Sequence, residues 1–240
     1  MTAPRAKTGW RREVLHGLRG SYQRQGQLSP MSTPTPSAST IMIIRHAEKP
    51  PEPPASPPPF GVTPEGRQDD HSLSVRGWQR AGALATFFSP SRTTPPSIST
   101  PQFIYAVKVD TDDGNPHDAA GVKIGSKGKR AQQTVAPVAE KLGATATLNF
   151  TFDKGEEAAM VTSAMACPGT VLICWEHHNI PHITSGMPVS PATPVPVAWP
   201  VDAQGAGRFD VVWVFAYDHT AGTYRFTPIP QMLLAGDLPS

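Results

Sequence analysis

Proline and glycine limit what this chain can become. Of its 240 residues, 28 are proline and 20 glycine, and a proline inside a helix removes a hydrogen bond and clashes with the preceding turn. An architecture of long uninterrupted helices is therefore excluded. Between the interruptions lie short apolar segments of two kinds. Residues 41–44 (Ile-Met-Ile-Ile) and 170–174 (Thr-Val-Leu-Ile-Cys) are nearly unbroken apolar runs, as in strands buried on both faces. Residues 103–109 read as a further strand, and 209–217 with 224–229 as a hairpin around Asp218-His219-Thr220-Ala221-Gly222. Helical spacing marks 74–88, which opens on the capping residue Ser74, then 128–142, which stops at Gly143 and holds Pro137 as an expected kink, and 156–166. Strands alternating with helices predict an α/β fold, a three-layer α/β/α sandwich with a mostly parallel mixed sheet.

The net charge of +2 conceals an asymmetry. Residues 1–40 carry six Lys and Arg against Glu13 alone, whereas 41–240 have an acidic excess of three. The basic character thus belongs to a segment too poor in apolar residues to offset ordering entropy. Residues 1–40 are expected to be a disordered basic tail, with Met31 as the natural start, and 41–240 one domain. Bulk charge gives no support to nucleic-acid binding. The longest apolar run, 211–217, has seven residues, against about 20 for a membrane-spanning helix. Cys167 and Cys174, the two cysteines, sit among apolar neighbours and read as buried thiols in a reducing compartment. No secretory h-region is present, so the expected location is cytoplasmic. Seven prolines within 50–59 predict an extended surface loop. The sequence sets no oligomeric state.

The chemistry gathers at the ends of the two apolar runs. One ends in Arg45-His46, the other in Trp175-Glu176-His177-His178. In open α/β sheets the carboxyl ends of strands line the ligand crevice, so two strand-end histidines can share one pocket. Arg45 adds a fork-shaped cation. Arg130 adds another at the start of a helix that follows a Gly- and Lys-rich stretch, 121–129. A helix N-terminus offers unpaired N–H groups and a positive dipole end, and guanidinium groups hold phosphate oxygens bidentately. The set suits a tetrahedral dianion. The stretch 121–130 is not a nucleotide P-loop, because Gly-Lys-Ser/Thr does not follow at the required spacing. His177, His178 and His182 lack the helical pair plus carboxylate of a zinc site, so no metal is expected.

Four blocks resemble the histidine phosphatase superfamily, which includes phosphoglycerate mutase-like phosphatases and protein phosphohistidine phosphatases. Arg45-His46-Ala47-Glu48-Lys49 is similar to the Arg-His-Gly/Ala signature. Leu73-Ser74-Val75-Arg76-Gly77-Trp78-Gln79-Arg80-Ala81 is similar to the family's Leu-Ser-x-x-Gly-x-x-Arg-Ala helix start. Ser126-Lys127-Gly128-Lys129-Arg130-Ala131-Gln132-Gln133-Thr134 resembles its Ser-x-x-x-Arg-x-x-x-Thr helix, and residues 171–181 resemble the strand that carries the second catalytic histidine. The likeness spans 41 to about 185. It departs from the family at Ala47, where Gly is usual, and in the proline-rich insertion 50–59.

The resemblance implies a phosphoglycerate mutase-like fold and a metal-independent, cofactor-free phosphatase. His46 would attack phosphorus to give a phosphohistidine. Arg45, Arg130 and His177 would hold the equatorial oxygens, with Arg45, Arg130 and Ser126 as substrate contacts. A carboxylic acid would protonate the leaving oxygen and then activate water; Glu157 is preferred to Glu156, although both also fit as dipole-favoured helix-start acids. Glu48 and Glu176 read as groups that orient their neighbours. Three readings share this pocket: hydrolysis of a phosphomonoester on a small molecule, dephosphorylation of phosphohistidine in a protein, and binding of a phosphate ligand without turnover. Nothing suggests a site that retains a bisphosphate, as a mutase needs.

Overall fold

The computed structural model of the chain describes residues 35–51, 59–89, 98–110 and 127–239. The expectations for 1–34, for the centre of the proline-rich loop (52–58) and for Ser126 lie outside the described residues.

Strand β1 (Ala38–Arg45) is at the centre. Ile41, Met42, Ile43 and Ile44 are all fully buried, as the unbroken apolar run requires when both faces of a strand are covered. On one side β1 pairs in parallel with β4 (Gly169–Trp175), and on the other antiparallel with β5 (Val211–Asp218). β4 pairs in parallel with β2 (Phe103–Ala106), which pairs in parallel with the edge strand β3 (Thr147–Asn149). β6 (Thr223–Pro230) closes the opposite edge as the hairpin partner of β5. The order is β3-β2-β4-β1-β5-β6, with four parallel strands followed by an antiparallel hairpin. The fold is the expected α/β arrangement built on a mostly parallel mixed sheet.

Helices α1 (Val75–Phe87) and α2 (Arg130–Leu142) pack on each other, and α2 reaches β2 and β4; α3 (Glu157–Ala166) packs on β1 and on the short α4 (Ile180–Ser185). Ser74 caps α1 as expected, its Oγ accepting from the Gly77 amide at 3.2 Å. Gly77 is required there, because a Cβ would strike the carbonyl oxygen of Glu48. α2 continues through Pro137 and ends where Gly143 takes φ 54°. Among the described residues no helix is long and apolar enough to cross a membrane.

Among the boundaries that differ from the sequence reading, three have a visible cause. β1 begins at Ala38 rather than Ile41, because Ala38 is fully buried and its carbonyl accepts from Tyr224 Oη at 2.9 Å. The polar Ser39 and Thr40 disguise that extension. β2 stops at Ala106 rather than 109, since the Lys108 amide donates to the Phe152 carbonyl instead (2.8 Å). α2 starts at Arg130 rather than 128, with the Lys129 amide donating to the His71 carbonyl (3.0 Å).

Candidate active site

The register between β1 and β4 decides which groups meet. Ile44 lies beside Cys174 and Arg45 beside Trp175, and the His46 amide carries the ladder one step further by donating to the Trp175 carbonyl at 3.1 Å. His46 and Glu176 therefore fall level with each other just past the two strand ends, and His177 follows one residue later. Arg45 and His46 both lie against Phe209, with ring centres 6.0 Å apart for His46. His46 and Glu176 line one cavity together with Val107, Gly128, Arg130 and Ala131. Arg45 and His177 meet at Gly207, where a Cβ would come within 2.7 Å of Arg45 Nη1 and 2.9 Å of His177 Cδ2.

His46 is buried, and its Nδ1 lies 2.8 Å from the carbonyl of Ala47. A carbonyl can only accept, so Nδ1 carries the proton and Nε2 keeps its lone pair. The segment after β1 is held by α2: the Ala47 amide donates to Thr134 Oγ1 at 2.8 Å, and that hydroxyl donates to the Arg130 carbonyl at 2.7 Å. α2 is in turn fixed to the chain before α1. Gln133 accepts from the Leu73 amide (2.9 Å) and donates to Ser72 Oγ (2.8 Å), while the Arg130 guanidinium donates to the carbonyls of Asp70 and Ser72. The nucleophile candidate and Arg130 are thus parts of one rigid frame.

Arg45 is almost fully buried. Its Nη1 donates to the Gly207 carbonyl, and its guanidinium carbon sits 3.8 Å from the centre of the Phe209 ring, a cation–π contact. Arg45 forms no ion pair among the described residues, and its Nε is buried without a hydrogen-bond partner among them, as is Nδ1 of His177. A buried polar atom left unpaired costs about 1–3 kcal/mol, so these two nitrogens are the polar atoms of the site with bonding capacity to spare. His177 packs against His178 with ring centres 3.8 Å apart and the rings tilted by 39°.

Electrostatics reinforces the picture. Burial, then the Arg45 guanidinium, pushes the His46 imidazole from 6.5 down to about 3, with smaller effects of the same sign from Arg130 and Lys49. Burial, then Arg45, brings His177 to about 4. Burial also lowers Arg45 to about 10, opposed mainly by Glu176. The site keeps its imidazoles neutral and its guanidiniums charged at neutral pH. That combination sets neutral imidazoles beside fixed positive charge.

Glu157 stands elsewhere. It begins α3 and is buried, and its Oε1 accepts from Trp175 Nε1 (2.9 Å), Asn179 Nδ2 (2.8 Å) and the Gly155 amide (3.1 Å); it is not among the residues lining the His46 cavity. Glu156 accepts from the Asp153 amide at 2.8 Å and shapes the turn before α3. The carboxylate on the cavity wall is Glu176, which pairs with Lys154. From sequence alone Glu176 reads as an orienting group, and the signal that singles it out is its register position level with His46. Gly207 and Phe209 escape a sequence reading, since nothing in the residues around 207 announces that they lie against Arg45. Glu48 orients in earnest: it accepts from Arg80 Nη2 at 2.8 Å and from Arg76 Nε at 3.2 Å. No group of three or more His, Cys, Asp or Glu among the described residues is arranged to hold a metal ion.

No protein-family model matches the chain, and no curated protein matches it. Among solved structures, it is similar to the presumed phosphohistidine phosphatase SixA from Agrobacterium tumefaciens, at 13% identity and a TM-score of 0.43 over 79% of this chain and 96% of that one. It is similar to the same degree to the protein histidine phosphatase SixA complexed with tungstate, at 13% identity and a TM-score of 0.43 over 80% of this chain and 97% of the other.

Proposed function

We propose that the protein hydrolyses a phosphomonoester through a phosphohistidine at His46. The observation that carries this reading is the single cavity shared by His46, Arg130, Glu176 and the first turn of α2. In the first step the Nε2 lone pair of His46 attacks phosphorus, an N–P bond forms and the bond to the leaving oxygen breaks. The Nδ1 proton stays on the ring, and its hydrogen bond to the Ala47 carbonyl strengthens as the ring becomes cationic. Arg130 and Arg45 take the charge on the equatorial oxygens, with His177 beside Arg45. Arg45 Nε and His177 Nδ1 find their acceptor in those oxygens. Ser126 is a further proposed contact, from its place in the motif.

The leaving oxygen needs a proton, and Glu176 is the carboxyl placed to give it, on the same wall as His46. In the second step the Glu176 carboxylate takes a proton from water, the water oxygen attacks phosphorus, and the N–P bond breaks to release inorganic phosphate and restore His46. No step draws on a metal ion.

The test is to trap ³²P on the protein from a panel of phosphodonors and map the labelled residue. Label on His46, absent from His46→Ala, is the expected result. Label that persists in His46→Ala, or that maps to another residue, overturns the reading.

A further inference from the structure

We infer that Glu157 is a positioning residue whose carboxylate clamps the turn carrying His177, and that it transfers no proton in the reaction. The inference rests on the hydrolase reading and assigns one of its parts. Three facts carry it. Trp175 and Asn179, which both donate to Glu157 Oε1, lie two residues before and two residues after His177, so a single oxygen ties together the two ends of the turn between β4 and α4. The third donor, the Gly155 amide, fixes the carboxylate itself at the start of α3, where the helix dipole favours a negative charge. All three partners are N–H groups that offer nothing a carboxylic proton could bond to. Glu157 does not line the His46 cavity, where the leaving oxygen must be. His177 makes no hydrogen bond through Nδ1 among the described residues, so the placement of its ring depends on the turn that bears it. Glu157 holds that turn from behind.

The experiment compares Glu157→Gln with Glu157→Ala in the full-length protein. Glutamine keeps an acceptor oxygen for the three donors but cannot act as an acid or base at neutral pH; alanine supplies neither. The first readout is the ¹H–¹⁵N imidazole spectrum of His177, assigned by its loss in His177→Gln. Glu157→Gln should overlay the wild type, and Glu157→Ala should shift or broaden the His177 signals. The second readout is turnover of a chromogenic aryl phosphate across pH: Glu157→Gln stays within about threefold of wild type with the same pH limbs, whereas Glu157→Ala falls about 100-fold, the usual cost of misplacing a reacting group by an ångström. Unmoved His177 signals in Glu157→Ala, or a Glu157→Gln enzyme as slow as Glu157→Ala, overturns the inference. Should Glu157→Ala not fold, Asn179→Ala removes one donor and must move the same signals in the same direction; unmoved signals there overturn it equally. The spectrum does not depend on turnover, so a failure of the hydrolase reading, seen as full activity in His46→Ala, is distinguishable from a failure of the clamp.

Discussion

Arg80 and Arg45 are nearly equally buried, at 2% and 4% exposure, yet their surroundings are opposite. Arg80, on α1, holds Glu48 at 2.8 Å, Asp237 at 2.7 Å and Gln231 at 3.0 Å. Burial alone would weaken its hold on the proton, but the hydrogen bonds it donates to Asp237 and Glu48 more than offset this and raise its pKa. Arg45 has a backbone carbonyl, an aromatic face and an Nε without a hydrogen-bond partner among the described residues, and burial brings it down to about 10. The first guanidinium is neutralised within the fold and latches the C-terminal segment to the chain after β1. The second is kept charged with no ion pair among the described residues. Burial of an arginine therefore says nothing about its role; the acids within reach decide.

That contrast breaks most readily at Arg80. Arg80→Ala strands the Glu48 and Asp237 carboxylates in the interior and should cost about 3–5 kcal/mol of unfolding free energy, measured by urea denaturation. A loss under about 1 kcal/mol, the value of a surface pair, would show that the latch is slack. Arg45→Met should act in the other direction. Stability changes by less than about 1 kcal/mol, because the cost of burying an uncompensated cation disappears along with its few contacts, while turnover of an aryl phosphate drops about 10²–10³-fold, as for removal of a preorganised oxyanion donor. A variant that loses stability rather than turnover would make Arg45 a second latch.

The sequence revealed much of this fold, and the reasons are local. Residues 41–44 and 171–174 declare buried strands by being apolar throughout, and Ser74 and Gly143 mark helix ends by chemistry that acts within four residues. β3 is three residues long and α4 six, too short for any period to show. Four candidate site residues, Arg45, His46, Arg130 and His177, could be singled out because each sits at the end of a strand or the start of a helix. Their mutual placement was not, since it depends on the register of β1 against β4, strands more than a hundred residues apart in the chain. The same holds for the Arg80–Asp237 pair and for Gly207 against Arg45. Glu157 shows the limit most plainly: a carboxylate at a helix start is compatible with an acid, a dipole partner or a clamp, and only its three donors decide.

An oxyanion should sharpen the comparison further. Vanadate at a hundred times its dissociation constant stabilises a protein by about 2.7 kcal/mol, and the wild type should show that gain in its thermal or chemical unfolding. Arg45→Met should lose most of it at the same vanadate concentration. Gly207→Ala should lose part of it too, because the added Cβ presses on Arg45 Nη1 and on the His177 ring. A full gain in both variants would place the anion away from Arg45.

The last contrast is set by pH, and it separates the two regions by window. An unfolded His46 takes its proton near 6.5, whereas the folded one resists until about 3. Between those values the unfolded chain binds more protons, so stability rises with pH and falls on acidification. The loss attributable to His46 is at most about 1.4 kcal/mol at pH 5.5 and grows by as much per further unit; His177, whose proton is also resisted until about 4, adds a smaller share because its ring is partly exposed. The latch responds later. Burial alone would raise the Asp237 carboxyl, but Arg80 and the amides of Leu234 and Leu233 pull it below its ordinary 3.8. Its contribution is therefore complete above that value and is lost only as pH falls further. Unfolding free energy followed from pH 7 to pH 3 should thus decline in two stages. His46→Asn should flatten the first without touching the second, and Asp237→Asn should do the reverse. A first stage unchanged in His46→Asn would mean that the imidazole is not held neutral by its buried, cationic surroundings, and the difference between the two arginines would lose its main consequence for the site.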